Sequence, residues 1–182
     1  LAIAPDLFWR LEPGVQLTDK TEAEWQKAMG FFSKFDIDKG IADLRTTLHT
    51  IRGHAWSTGK VGAVGYCLGG KLAFLLATRS SVDCAVSYYG VGIENLLSEA
   101  DTIRHPLMMH IAGQDEYVSP ESQKTIVETL RKIPQVTLHQ YPQAKHAFSR
   151  LNGQNHDPNA AKDANARTLA FLTKSLGLAT AI

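Results

Sequence analysis

The hexapeptide Gly65-Tyr66-Cys67-Leu68-Gly69-Gly70 lies between two apolar runs, residues 61–64 and 72–76. That arrangement reads as strand, sharp turn and helix, and no other stretch restricts the fold as strongly. The pattern is Gly-x-nucleophile-x-Gly, with cysteine where serine is usual. In such an elbow the central residue occupies a strained turn and projects its reactive atom away from the sheet. Gly65 and Gly69, two positions to either side, leave room for the strand and helix backbones to pass closely. The backbone N–H of Leu68 then faces the site at a helix N-terminus, where developing negative charge is stabilised. The plain alternative is a glycine-rich turn around a buried cysteine, since free cysteine is among the most buried residue types. The rest of the chain must therefore supply a base and an acid.

Further apolar runs follow the same alternation. Residues 1–4, 61–64, 84–89, 107–112 and 136–141 read as strands, several of them apolar throughout. Helices are expected over 21–33, from Asp36 or Asp38 through Ile51, over 68–78, from Ser119-Pro120-Glu121 to about residue 132, and over 159–176 before Gly177. The placement of Trp25, Met29 and Phe32, and of Ile41, Leu44, Leu48 and Ile51, gives each of the first two helices one apolar face. Strands alternating with helices predict an α/β fold with a mostly parallel sheet covered on both faces. Ligands in such folds bind beyond the C-terminal ends of the strands. The residues expected there are Asp6, Cys67, Tyr89, Asp115 and His146.

That short list contains a nucleophile, an acid and a base. Cys67 attacks best as thiolate, and a neighbouring imidazole can take its proton. His146 is the candidate base and Asp115 the residue that holds its tautomer. The chain order of nucleophile, acid and histidine is that of α/β-hydrolases. Glu116 is a rival acid, expected to be solvated. His49, His54, His105, His139 and His156 read as structural or solvent-facing, and His110 as a satisfied core residue within a strand.

Composition removes several functional classes. The 182 residues suffice for one domain with a substantial core. A net charge of +1 gives no electrostatic case for nucleic acid or an anionic membrane. No apolar run is long enough to span a bilayer. Two cysteines, Cys67 and Cys84, form no disulfide framework and favour a reducing compartment, so a cytoplasmic location is expected. No cluster has metal-ligand spacing, and neither a metal nor an organic cofactor is expected. Residues 62–70 lack both dinucleotide-binding and phosphate-loop patterns.

The chain resembles the dienelactone hydrolase (carboxymethylenebutenolidase) family of α/β-hydrolases. The resemblance is carried by Ala4-Pro5-Asp6-Leu7, Val64-Gly65-Tyr66-Cys67-Leu68-Gly69-Gly70, Ser87-Tyr88-Tyr89-Gly90, Ala112-Gly113-Gln114-Asp115 and His146-Ala147-Phe148. It implies a single α/β-hydrolase domain over residues 1–182, with Cys67 as nucleophile, Asp115 as acid and His146 as base. It implies a carboxylate-bearing enol-lactone as substrate, opened through a cysteine thioester. Two arginines would bind the carboxylate, matching Arg10 and Arg150, because a guanidinium fork suits a carboxylate. Tyr89, and with it Tyr88, would line the pocket. Family members carry roughly fifty further residues before the Pro-Asp strand, including early strands and a loop that gives a second oxyanion N–H. Their absence here implies an incomplete sheet and a stretch that is poorly active or unstable alone. Another ester or thioester hydrolase of the same family, and a non-catalytic binding domain, are the alternatives. Association is expected to be monomeric or weakly dimeric.

Overall fold

A computed structural model describes residues 1–178. Four parallel strands form one sheet: β1 (Gly62–Tyr66), β2 (Cys84–Tyr88), β3 (Leu107–Gln114) and β4 (Val136–Lys145), in the order β1-β2-β3-β4. The helices are α1 (Glu22–Lys34), α2 (Ile37–Arg52), α3 (Leu68–Arg79), α4 (Pro120–Leu130) and α5 (Pro158–Leu176). A 3-10 helix, Ile93–Thr102, links β2 to β3 and was not foreseen from the pattern.

Sequential strand order places every crossover on one face of the sheet, as the right-handed rule for parallel connections requires. The crossover helices bury Leu72, Phe74, Leu75, Ile93, Ile126 and Leu130 there against Ala85, Leu107 and Met109. The chain then passes β4 and α5 covers the opposite face, where Ala164 packs with Val86, Tyr88, Met108, Tyr141 and Phe148. Met108 and Met109 are both buried but serve opposite cores, which is the period-two alternation of a strand covered on both sides. Helix ends follow local chemistry. Thr21 and Asp36 accept from the N–H groups of Glu24 and Lys39 at the starts of α1 and α2. Asp157 caps α5 ahead of Pro158.

Two expectations need correction. Residues 1–4 form no strand, and Leu1 and Ile3 lie exposed. An apolar run becomes a strand only where a neighbour completes its ladder, and β1 pairs with β2 alone. Second, β4 does not stop at Tyr141. A register irregularity at Gly113 lets it run through Pro142 to Lys145. A Cβ on Gly113 would stand 2.6 Å from the backbone of Pro142, so this close crossing depends on glycine.

Candidate active site

Four of the candidate residues each stand first past a strand. Cys67 follows β1, Tyr89 follows β2, Asp115 follows β3 and His146 follows β4. Parallel pairing brings all four to one edge of the sheet. Cys67 and Tyr89 still belong to the ladder through their N–H groups, which donate to Tyr88 and His110 carbonyls at 3.1 and 2.8 Å. Three of these turns hold a non-glycine residue at positive φ: Cys67 at 56°, Tyr89 at 36° and Ala147 at 60°. Such backbone costs on the order of 1–3 kcal/mol per residue and persists only where the surroundings enforce it.

At Cys67 the enforcement is visible. A Cβ on Gly65 would overlap the carbonyl of Gly69, so strand and helix cross where only hydrogen fits. Gly69 itself faces open space, and the second close approach belongs to Gly70, whose Cβ would stand 2.6 Å from the Tyr88 carbonyl oxygen. No side chain caps α3, which begins at Leu68. The Leu68 N–H therefore has no partner within the helix.

His146 Nδ1 donates to both carboxylate oxygens of Asp115, at 3.0 and 2.9 Å, and both residues are buried. The Tyr117 N–H, 2.9 Å from Oδ1, fixes the carboxylate in turn. Glu116 does not reach the ring. Its Oε2 accepts the His146 backbone N–H at 3.4 Å, and Asn155 bridges Glu116 Oε1 to the His146 carbonyl. The rival acid thus clamps the histidine's backbone while Asp115 holds its ring. Tyr89 and Tyr117 stand edge-on to the imidazole at 5.1 and 4.7 Å. Burial pushes the imidazole down, but hydrogen bonding and charge from Asp115 and Cys67 outweigh it and raise His146 to about 9. At neutral pH the imidazole of His146 is therefore protonated.

Cys67 and His146 open into a cleft of about 990 Å³. Trp25, Met29 and Phe32 of α1 form an apolar wall, although α1 contributes no buried residue to the core. Tyr89 lines the cleft and its hydroxyl meets Ser149 at 2.9 Å. Burial raises it to about 12, so it remains a neutral phenol. Tyr88 does not line the cleft. It is buried behind the sheet, its hydroxyl bonded to Thr168 and Asn165. Arg150 lines the cleft, 3.5 Å from Asp19.

Arg10 lies elsewhere. Its guanidinium grips Asp43 of α2 through two nitrogens at 3.0 and 2.7 Å and stacks on Trp9, outside the cleft. Asp6 is equally remote, accepting from the N–H groups of Phe8 and Gly14 in a turn. Without a strand over residues 1–4 nothing aims this segment at the sheet edge. His110 is buried between the Tyr141 and Thr168 hydroxyls, at 3.0 and 2.9 Å, as a core residue. Cys67 and Cys84 are both free. Among the described residues no cluster of potential ligands could hold a metal ion, and no helix is long and apolar enough to cross a membrane. Beyond the expected residues, the site includes the Glu116 clamp, the α1 wall and Lys71, which also lines the cleft. The signal for Lys71 was present: it is the one charged side chain in residues 68–78.

The dienelactone hydrolase family profile matches residues 1–176. A protein of Azospirillum brasilense is 44% identical over 178 residues, 97% of this chain and 76% of its own length. The carboxymethylenebutenolidase of Pseudomonas putida is 40% identical over 171 residues, 94% of this chain and 72% of its own. A crystal structure from Klebsiella pneumoniae superposes with a TM-score of 0.71 at 24% identity, covering 79% of this chain and 64% of that one, a likeness of fold.

Proposed function

The chain belongs to the dienelactone hydrolase family of α/β-hydrolases, and on that premise we propose that it opens a carboxylate-bearing enol-lactone through a thioester on Cys67. The observation that carries this reading is the buried Asp115–His146 pair held beside an elbow cysteine in one cleft.

Arg150 receives the substrate carboxylate. The Cys67 sulfur, its proton held on His146, attacks the lactone carbonyl and forms a C–S bond. The oxyanion is met by the Leu68 N–H at the head of α3. As the ring C–O bond breaks, the imidazolium gives its Nε2 proton to the departing enolate oxygen. The neutral ring then takes a proton from water, whose oxygen attacks the thioester carbonyl. The C–S bond breaks, the acid leaves and the thiolate–imidazolium pair is restored. Asp115 keeps Nδ1 protonated throughout, so Nε2 carries the transfer. The two free thiols support a reducing compartment, and the cytoplasm is the proposed location.

A second reading, hydrolysis of a neutral ester or thioester, is favoured by the apolar α1 wall and by the position of Arg10 outside the cleft. Steady-state hydrolysis of a dienelactone and of a neutral aryl ester by the wild type, Cys67→Ala and Arg150→Ala separates the two. Lactone turnover lost in Cys67→Ala, and weakened more than ester turnover in Arg150→Ala, supports the lactonase. Ester turnover that needs Cys67 and ignores Arg150 selects the second reading. Turnover of neither substrate refutes both.

A further inference from the structure

We propose that Lys71 is the second cation that anchors the substrate carboxylate, in the role that the family resemblance gives to Arg10. The inference rests on the lactonase reading of the cleft.

Lys71 stands one helical turn beyond the nucleophile, and its N–H donates to the Cys67 carbonyl at 3.2 Å. Positions four apart on a helix share a face. Its successors, residues 72–77, are all buried, whereas Lys71 is half-buried and lines the cleft. Among the described residues no carboxylate lies within ion-pair distance of its ammonium, although Glu94 lines the same cleft. The other candidate cations are less available. Arg10 is bound to Asp43 outside the cleft, Arg150 leans on Asp19, and Lys20 is exposed.

The wall opposite the ammonium is shaped to receive it. Gly92 heads the 3-10 helix at φ +70°, and a Cβ there would stand 2.8 Å from Lys71 Nζ and 3.1 Å from Cε. Glycine answers both demands at once, the left-handed backbone and the space for the ammonium. A half-buried charge is screened less than a surface one, so a free ammonium here attracts an anionic substituent effectively. An enol-lactone carboxylate lies a few bonds from the carbonyl under attack. Lys71 and Arg150 line the same cleft as Cys67, so both cations are available to the carboxylate while Cys67 engages the ring.

The test compares the anionic dienelactone with its neutral methyl ester, using the wild type, Lys71→Met, Lys71→Arg and Cys67→Ala. A charge-assisted hydrogen bond of ordinary strength predicts that Lys71→Met lowers kcat/KM on the anion about ten- to a hundredfold more than on the methyl ester. The loss should appear mainly in KM, and Lys71→Arg should restore much of it. Equal effects on both substrates, or none, overturn the assignment. If the wild type opens the lactone in a Cys67-dependent way while Lys71→Met leaves the ratio unmoved, the lysine proposal fails alone. If the wild type does not open the lactone, both readings fail.

Discussion

Replacing Asp115 with Asn preserves the shape of the group that holds His146 and deletes its charge. In the wild type, burial lowers the imidazole, and Asp115 together with Cys67 lifts it to about 9 from an ordinary 6.5. A displacement of roughly 2.5 pH units corresponds to ~3 kcal/mol in favour of the folded imidazolium. The His146 side chain is only 8% exposed, so solvent screening takes little of this away. Because the folded value is raised, the stabilisation is complete below pH ~6.5 and is lost as pH rises through about 9. In Asp115→Asn the foremost lifting influence is gone, burial prevails, and most of that dependence should vanish. Urea unfolding followed by tryptophan fluorescence, repeated from pH ~6 to ~10, gives both stability curves. Titrations common to the two proteins cancel in the difference, leaving a wild-type advantage that shrinks by ~2–3 kcal/mol across the window. Parallel curves would refute the argument, because His146 would then owe its protonation to something other than Asp115. The same variant should lose on the order of 10⁴ in kcat through the wrong tautomer, as in serine triads.

Other outcomes follow from the same geometry. Gly65→Ala forces a methyl group into the Gly69 carbonyl and should cost at least ~3 kcal/mol, read as a fall of many degrees in Tm by calorimetry. His110 is pushed down to about 3, by burial first and then by the neighbouring His139 and Arg167 charges. Tyr88, Tyr141 and Thr168 complete its surroundings, and none of them carries a charge to offset protonation. Its folded value is depressed, so it contributes stability above pH ~6.5 that is lost as acid protonates the unfolded chain. His110→Gln should therefore flatten the loss of stability between pH ~6.5 and ~3 in acid titrations followed by circular dichroism. Arg10→Ala should leave KM for an anionic lactone within about twofold in steady-state kinetics, because the guanidinium is bound to Asp43 outside the cleft.

The elbow was legible because its chemistry is local. Glycines that permit a crossing, a nucleophile between them and apolar runs on both sides all fall within residues 61–76. The acid and the histidine were legible because each lies a few residues beyond a predicted strand, Asp115 after residues 107–112 and His146 after 136–141, and parallel topology gathers such positions at one edge. What escaped depends on partners distant in sequence. Residues 1–4 have strand composition and no ladder to join. Arg10 meets Asp43 across 33 positions, and no periodicity announces that pair. Glu116 looked like a spare carboxylate until the fold placed it under the His146 backbone. The extension of β4 through Pro142 hangs on one irregular position at Gly113 in the adjacent strand.

Helix α1 gives Trp25, Met29 and Phe32 to the cleft and no residue to the buried core. The apolar wall of the cleft is thus separable from the scaffold that keeps the protein folded. Replacements on that face should alter the lining of the cleft while leaving the Tm nearly where it was. The lining of the cleft can therefore be varied one side chain at a time while the sheet edge that carries Cys67, Asp115 and His146 is held constant.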